Sequence, residues 1–183
     1  MSQIIFVTGG SRSGKSAYSQ KLAESMPGPR TFIATGLPID DEMRERIRRH
    51  RDARRLRDWA TIEEPVDLRG AISRDPGANV MIVDCLTLWI NNLMYEAEKA
   101  NVTLSENDIA DRCQQVIEAC GTCNGTVVFV TNEIGMGLVP ENPVGRLYRD
   151  LVGRCNQIMA EASHRVIFLV SGQPLELKTG IVV

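Results

Sequence analysis

Only two of the 183 residues are histidine and 5% are aromatic. No apolar run approaches the ~20 residues that a membrane-spanning helix requires. The first residues show neither a basic leader nor a small-residue cleavage site, so they read as the start of a strand, not a signal peptide. A dominant charge is also missing. Lys and Arg total 21 against 23 Asp and Glu, a formal net charge of −2, which argues against a nucleic-acid binder working by bulk electrostatics. The five cysteines (Cys85, Cys113, Cys120, Cys123, Cys155) are odd in number and scattered. In a chain without a leader they read as reduced thiols of a cytoplasmic protein. Cys120 and Cys123 make a C-x-x-C pair, but no second pair or nearby histidine completes a zinc site. There is no internal repeat, low-complexity tract or linker. The length suits one domain spanning 1–183, burying roughly 70% of its unfolded surface without a staple.

What is present is alternation. Ile4–Thr8, Thr31–Thr35, Val80–Asp84, Val127–Thr131 and Val166–Val170 are β-rich and apolar on both faces, the pattern of strands covered on both sides. Between them fall helical stretches near Lys15–Glu24, Asp41–Arg55, Leu86–Ala100, Ser105–Cys120 and Pro143–Ala162. Ser105 with Asp108 suits a helix cap, and Pro143 a first helical turn. Such alternation predicts βαβ crossovers and an α/β, doubly wound, mostly parallel sheet. A Gly172–Pro174 turn and a short strand over Leu175–Lys178 would add an edge.

Gly9–Ser16 reads G-G-S-R-S-G-K-S, a match to G-x-x-x-x-G-K-[ST] placed after a strand and before a helix. Glycines let such a loop wrap with its amides pointing at phosphates, and the helix start adds a positive dipole end. Lys15 would reach the β and γ phosphates, and the Ser16 hydroxyl would hold Mg²⁺. Asp84 ends the V-M-I-V-D strand, where a second Mg²⁺-directed acid belongs; it also precedes a helix that it could cap, and the two roles are compatible. Kinases, ATPases and GTPases share this loop, so the reaction stays open at this point.

Eight of the basic residues are arginines between Arg44 and Arg57. Acids lead this stretch and bases fill it, which suits the helix dipole, and much of the charge reads as solvated helix surface. On a helix Arg46 and Arg54 share a face with His50, one turn either side. Guanidinium groups around an imidazole disfavour its protonation, and a neutral imidazole is a nucleophile. His50 is therefore either a surface histidine among bases or a catalytic one. His164 reads as structural.

Taken together, G-G-S-R-S-G-K-S, F-I-A-T, D-D-E-M-x-x-R-I-x-x-H-R, W-A-T-I-E-E-P, V-D-C-L-T-L-W, V-T-N-E-I-G-M-G-L-V-P-E-N and V-S-G-Q-P-L resemble one family in order from Ile5 to Lys178. It is the bifunctional adenosylcobinamide kinase/adenosylcobinamide-phosphate guanylyltransferase family of cobalamin biosynthesis. The resemblance implies phosphorylation of the aminopropanol hydroxyl of adenosylcobinamide, with ATP or GTP as donor. It then implies transfer of GMP from GTP onto that phosphate through a guanylylated histidine, here His50. It implies nucleotide contacts at Gly9, Gly10, Ser11, Arg12, Ser13, Gly14, Lys15 and Ser16, and at Ala34, Thr35 and Gly36. Further contacts fall on Arg51, Asp52, Ala53, Arg54, Glu63 and Asp84, while Asn132 and Glu133 help to form the site. A homo-oligomer, a trimer in the family, is also implied.

The corrinoid needs a broad cleft, which Trp89, Ile90, Leu93 and Met94 could line; core packing or a subunit interface are the alternatives. The two half-reactions bring nucleophiles to different phosphorus atoms, so the arginine helix is expected to move or the nucleotide to bind in two ways. Gly135 and Gly137 mark another candidate for motion. Residues after Lys178 read as a terminal extension. Two rivals remain: a single-activity small-molecule kinase, and a nucleotide-gated regulatory module.

Overall fold

A computed structural model describes residues 2–37, 41, 44, 45, 48, 51, 52, 57 and 59–180. The strands are β1 (Gln3–Gly9), β2 (Arg30–Ala34), β3 (Trp59–Glu63), β4 (Val80–Asp84), β5 (Thr126–Val130), β6 (Arg165–Val170) and β7 (Gln173–Lys178). The helices are α1 (Lys15–Glu24), α2 (Leu68–Ser73), α3 (Leu86–Lys99), α4 (Glu106–Gly121) and α5 (Pro143–Ala162). One seven-stranded sheet runs in the order β3-β2-β4-β5-β1-β6-β7. All neighbours pair in parallel except β6 and β7, which are antiparallel. The doubly wound, mostly parallel sheet expected from the alternation is therefore present.

Strand alternation divides the core into two layers. Ile4, Phe6, Ile33, Met81, Val83, Val127 and Phe129 face α2, α3, α4 and α5. Ile5, Val7, Val80, Ile82, Val128 and Val130 face the other way, toward Ala23, Tyr18 and Leu22 of α1. Local signals start the helices as expected. Ser105 and Asp108 close a capping box on α4, and α5 begins at Pro143 behind an Asn142 cap that accepts from the Gly145 amide at 2.6 Å.

Four expectations need correction. Trp59–Glu63 is a strand and Leu68–Ser73 a helix, neither of which periodicity revealed. Thr35 and Thr131 lie one residue beyond their strands. The last strand starts at Gln173, because the turn is Ser171–Gly172. Both turn residues have positive φ, 51° and 80°, the two-residue geometry that matches strand twist. Cys85, not Asp84, caps α3. His164 is structural as expected: its Nδ1 accepts from the Ile4 amide at 3.0 Å and its own amide donates to the Ile4 carbonyl.

Candidate active site

In an open α/β sheet, ligands sit beyond the carboxyl ends of the strands. Register shows what is gathered there. Ala34 pairs with Glu63 on one side and Asp84 on the other, Asp84 with Val130, and Val130 with Val7. One row across the sheet thus carries Glu63, Ala34 and Asp84 to the edge where β1 runs into Gly9–Ser16.

The phosphate loop needs its glycines at two points. Gly9 has φ 151°, and a Cβ there would run into the Leu169 carbonyl of the neighbouring strand. Gly14 has φ 97° and serves as the N-cap of α1 without any side-chain cap. Lys15 and Ser16 open the helix, so their amides have no intrahelical acceptor and remain available to an anion. The Ser13 carbonyl accepts from Gly172 at 2.9 Å, so the β6–β7 turn braces the loop from behind. Among the loop residues Gly10, Ser11, Arg12, Gly14 and Ser16 are exposed, while Gly9, Ser13 and Lys15 are buried. Arg12 has φ 56°.

Lys15 is 7% exposed. Its Nζ donates to the Gly10 carbonyl at 2.6 Å and lies 3.4 Å from Ser13 Oγ. Burial lowers its pKa from the ordinary value, against the raising influence of Asp84 and then Cys85. Asp84 is thus close enough for its charge to be felt by the ammonium, which sets the carboxylate beside the phosphate loop.

Thr35 is fully buried and ties two strand ends together. Its Oγ1 donates to the Cys85 carbonyl at 2.8 Å and accepts from the Cys85 amide at 2.7 Å. Its carbonyl accepts from Asn92 of α3 at 2.8 Å. Thr35 is therefore a framework residue holding Ala34 and Gly36 against Asp84. Glu63 is exposed and meets Arg51 Nη1 at 3.5 Å. Asp52 is exposed, 3.8 Å from Arg48. His50, Ala53 and Arg54 lie outside the described residues, as do Arg46 and parts of the arginine-rich segment.

Sequence reading undervalued the chain after β5. Asn132 donates to Thr87 Oγ1 at 3.2 Å, and Asn156 of α5 donates to the Asn132 carbonyl and bonds Thr131 Oγ1 at 2.9 Å. The signal available beforehand was position: Asn132 and Glu133 directly follow a core strand, the end at which open α/β sheets bind ligands. Gly135 sits in a short 3-10 turn, Ile134–Met136, with Gly137 closing it, so these glycines shape a turn.

Trp89, Ile90 and Leu93 are buried core residues. Met94 instead lines a cavity of about 640 Å³ with Leu37, Tyr95, Val144 and Leu147. The five cysteines are all free and buried. Burial pushes the Cys120 thiol up to about 12, and no group of His, Cys, Asp and Glu among the described residues could hold a metal by itself.

Comparison with known proteins gives the same reading of the chain. The model of the family described as cobinamide kinase/cobinamide phosphate guanyltransferase matches residues 5–177. The bifunctional adenosylcobalamin biosynthesis protein CobU of Salmonella typhimurium is 38% identical over 182 residues, covering 96% of this chain and 99% of that protein. The Escherichia coli protein of the same name has the same identity and coverage. The bifunctional adenosylcobalamin biosynthesis protein CobP of Pseudomonas aeruginosa is 37% identical, with 94% and 95% covered. Among solved structures, the RadB recombinase aligns with a TM-score of 0.51 at 12% identity, over 91% of this chain and 73% of that one. That likeness shows the fold alone. The near-full-length matches show more: the chain belongs to the cobinamide kinase/cobinamide phosphate guanyltransferase family.

Proposed function

We propose that this chain, as one catalytic unit over 1–183, phosphorylates adenosylcobinamide with ATP or GTP. It then transfers GMP from GTP to adenosylcobinamide phosphate through a guanylylated His50, giving adenosyl-GDP-cobinamide. The observation that carries this reading is the row Glu63–Ala34–Asp84 set beside a complete phosphate loop with a buried lysine.

In the kinase step the loop amides and Lys15 hold the triphosphate with its γ-phosphoryl toward an alcohol, so catalysis is positioning and charge neutralisation. Ser16 and Asp84 fit a Mg²⁺ carried by the nucleotide. That ion takes one or two protein ligands beside phosphates and water, and no all-protein cage exists among the described residues. When bound it would neutralise phosphate charge. In the guanylyl step His50 attacks the α-phosphorus, pyrophosphate leaves, and Lys15 with Arg51 and Arg54 stabilises the departing charge. Arg51 follows His50 directly in sequence, and its contact with Glu63 supports placing this segment at the same sheet edge.

No helix among the described residues is long and apolar enough to cross a membrane. Five unpaired buried thiols suit a reducing cytoplasm. Met136, Leu138, Val139 and Val144 expose between 64% and 96% of their surface along one loop and helix start, which suits a face covered by another subunit in a trimer. The decisive test uses GTP labelled at the α-phosphate. The label should stay on the protein, survive alkali, leave in acid and vanish in His50→Ala, while the variant still phosphorylates adenosylcobinamide. Guanylyl transfer undiminished in His50→Ala would overturn the covalent route, and a chain that never labels would leave a kinase alone.

A further inference from the structure

We propose that Glu133 accepts the hydroxyl proton of the acceptor alcohol in the phosphoryl-transfer half-reaction. This rests on the kinase half of the reading above and adds a proton acceptor that it lacks.

Topology places the residue. β5 lies between β4 and β1, so the chain leaving β5 emerges between Asp84 and the phosphate loop. Two main-chain bonds then carry the β5–β1 ladder past the strand ends. The Thr131 amide donates to Val7, and the Glu133 amide donates to the Gly9 carbonyl at 3.1 Å. Glu133 is thereby anchored on the first glycine of the loop that would hold the triphosphate.

The Asn156 side chain helps to orient this segment. Asn156 is 6% exposed, bonds Thr131 Oγ1, donates to the Asn132 carbonyl at 3.1 Å and sits 3.5 Å from Glu133 Oε2. Its partner is thus a neutral amide. Among the described residues no lysine or arginine stands within ion-pair distance of Glu133, whereas Glu63 meets Arg51 and Asp84 lies in the field of Lys15. Glu133 is thus the carboxylate that the main chain fastens to the phosphate loop and whose side-chain partner is a neutral amide.

The step balances simply. The alcohol oxygen forms a bond to the γ-phosphorus, and the bond from that phosphorus to the β–γ bridging oxygen breaks. Its electron pair leaves with the nucleoside diphosphate, and the hydroxyl proton passes to Glu133 and later to water. The second half-reaction makes no such demand, because its acceptor is already a phosphate anion. Glu133 therefore serves one half-reaction only.

The test follows from this asymmetry. In Glu133→Gln, kcat for phosphorylating adenosylcobinamide should fall roughly 10²–10³-fold, within the usual range for loss of a general base. The KM for nucleotide and the Mg²⁺ requirement should not move. An unshifted thermal melt should certify folding. Guanylyl transfer to adenosylcobinamide phosphate, supplied directly, should fall far less than phosphorylation, and Glu133→Asp should recover part of the kinase rate. An unchanged kinase rate, or equal loss in both halves, overturns the proposal, as does a raised nucleotide KM. A wild-type chain that cannot phosphorylate adenosylcobinamide at all brings down the kinase reading itself, which is a separate result.

Discussion

The phosphate-loop edge of the sheet and the arginine-rich segment before β3 both hold candidate site residues, yet among the described residues different forces hold them. At the loop edge, main-chain bonds and buried polar contacts join the segments: Gly172 on Ser13, Glu133 on Gly9, and Thr35 on the Cys85 peptide. In the described part of the arginine segment the contacts are solvated ion pairs. Arg44 with Asp41 and Arg48 with Glu45 are local, while Arg51 with Glu63 and Arg57 with Glu24 tie the segment to the sheet and α1. Exposed pairs of this kind contribute at most about 1 kcal/mol each. Among the described residues, the contacts at the loop edge are costly to break and those of the arginine segment cost little. That contrast suits an enzyme that must present first the γ and then the α phosphorus to a nucleophile.

The sharpest way to break the comparison is Lys15→Met. If the loop edge serves both half-reactions, phosphorylation and guanylyl transfer should each fall by roughly 10²–10³-fold, the scale for losing one preorganised charge-stabilising donor. Stability should not fall with activity. Burial already lowers the Lys15 pKa, so the fold works against that charge, and an apolar chain of similar length relieves it. Activity assays beside a thermal melt would check both halves. Loss in only one half-reaction would mean that the triphosphate has two unrelated seats.

Thr35→Val should come next in size. It keeps the shape but strips both bonds from the buried Cys85 peptide, at a cost of about 1–3 kcal/mol. For a chain of this length that lowers Tm by roughly 2–4 °C per kcal/mol. An unshifted Tm would show that the strand ends do not depend on this clamp.

How far these regions could be read in advance depends on how local their signals are. The phosphate loop was legible because its glycines answer a local demand, and the capping box and Pro143 were legible for the same reason. Trp59–Glu63 was not: it borders the sheet, only Trp59 is fully buried, and its run lacks the two-sided apolar pattern of a central strand. β7 is exposed along its whole length and begins beside Pro174, so composition pointed to a turn where pairing with β6 makes a strand. Thr35 and Glu133 were named as site residues but their roles were hidden. The clamp on Cys85 and the anchor on Gly9 join residues 50 and 124 positions apart, and only strand order brings them together.

A third substitution asks how far the loop edge reaches. Asn142 closes the V-T-N-E-I-G-M-G-L-V-P-E-N block, and in the fold it caps α5, the helix that carries Asn156. Asn142→Ala should cost about 1 kcal/mol, read as a lower urea midpoint with an unchanged m-value. Normal guanylyl transfer in this variant would confine its role to the helix start. A loss larger than the stability change would extend the site to the α5 N-terminus.

The smallest effect belongs to the other region. Arg57 Nη1 lies 2.9 Å from Glu24 Oε2, with the two side chains 60% and 26% exposed. Burial alone would raise the Glu24 pKa, but hydrogen bonds from Arg57 and Gln20 and the Arg57 charge outweigh it and leave the carboxyl below 4.5. The sign then follows. Between the lowered folded value and 4.5 the unfolded chain binds the extra proton, so the stabilisation is complete above 4.5 and is lost as pH falls through the folded value. Arg57→Ala should therefore cost less than about 1 kcal/mol at neutral pH, and less still in high salt. The difference from wild type should close in acid. A larger, salt-insensitive loss would show that packing of the arginine stem, not its charge, ties the segment to α1, and the contrast between a fixed edge and a loosely held segment would fail.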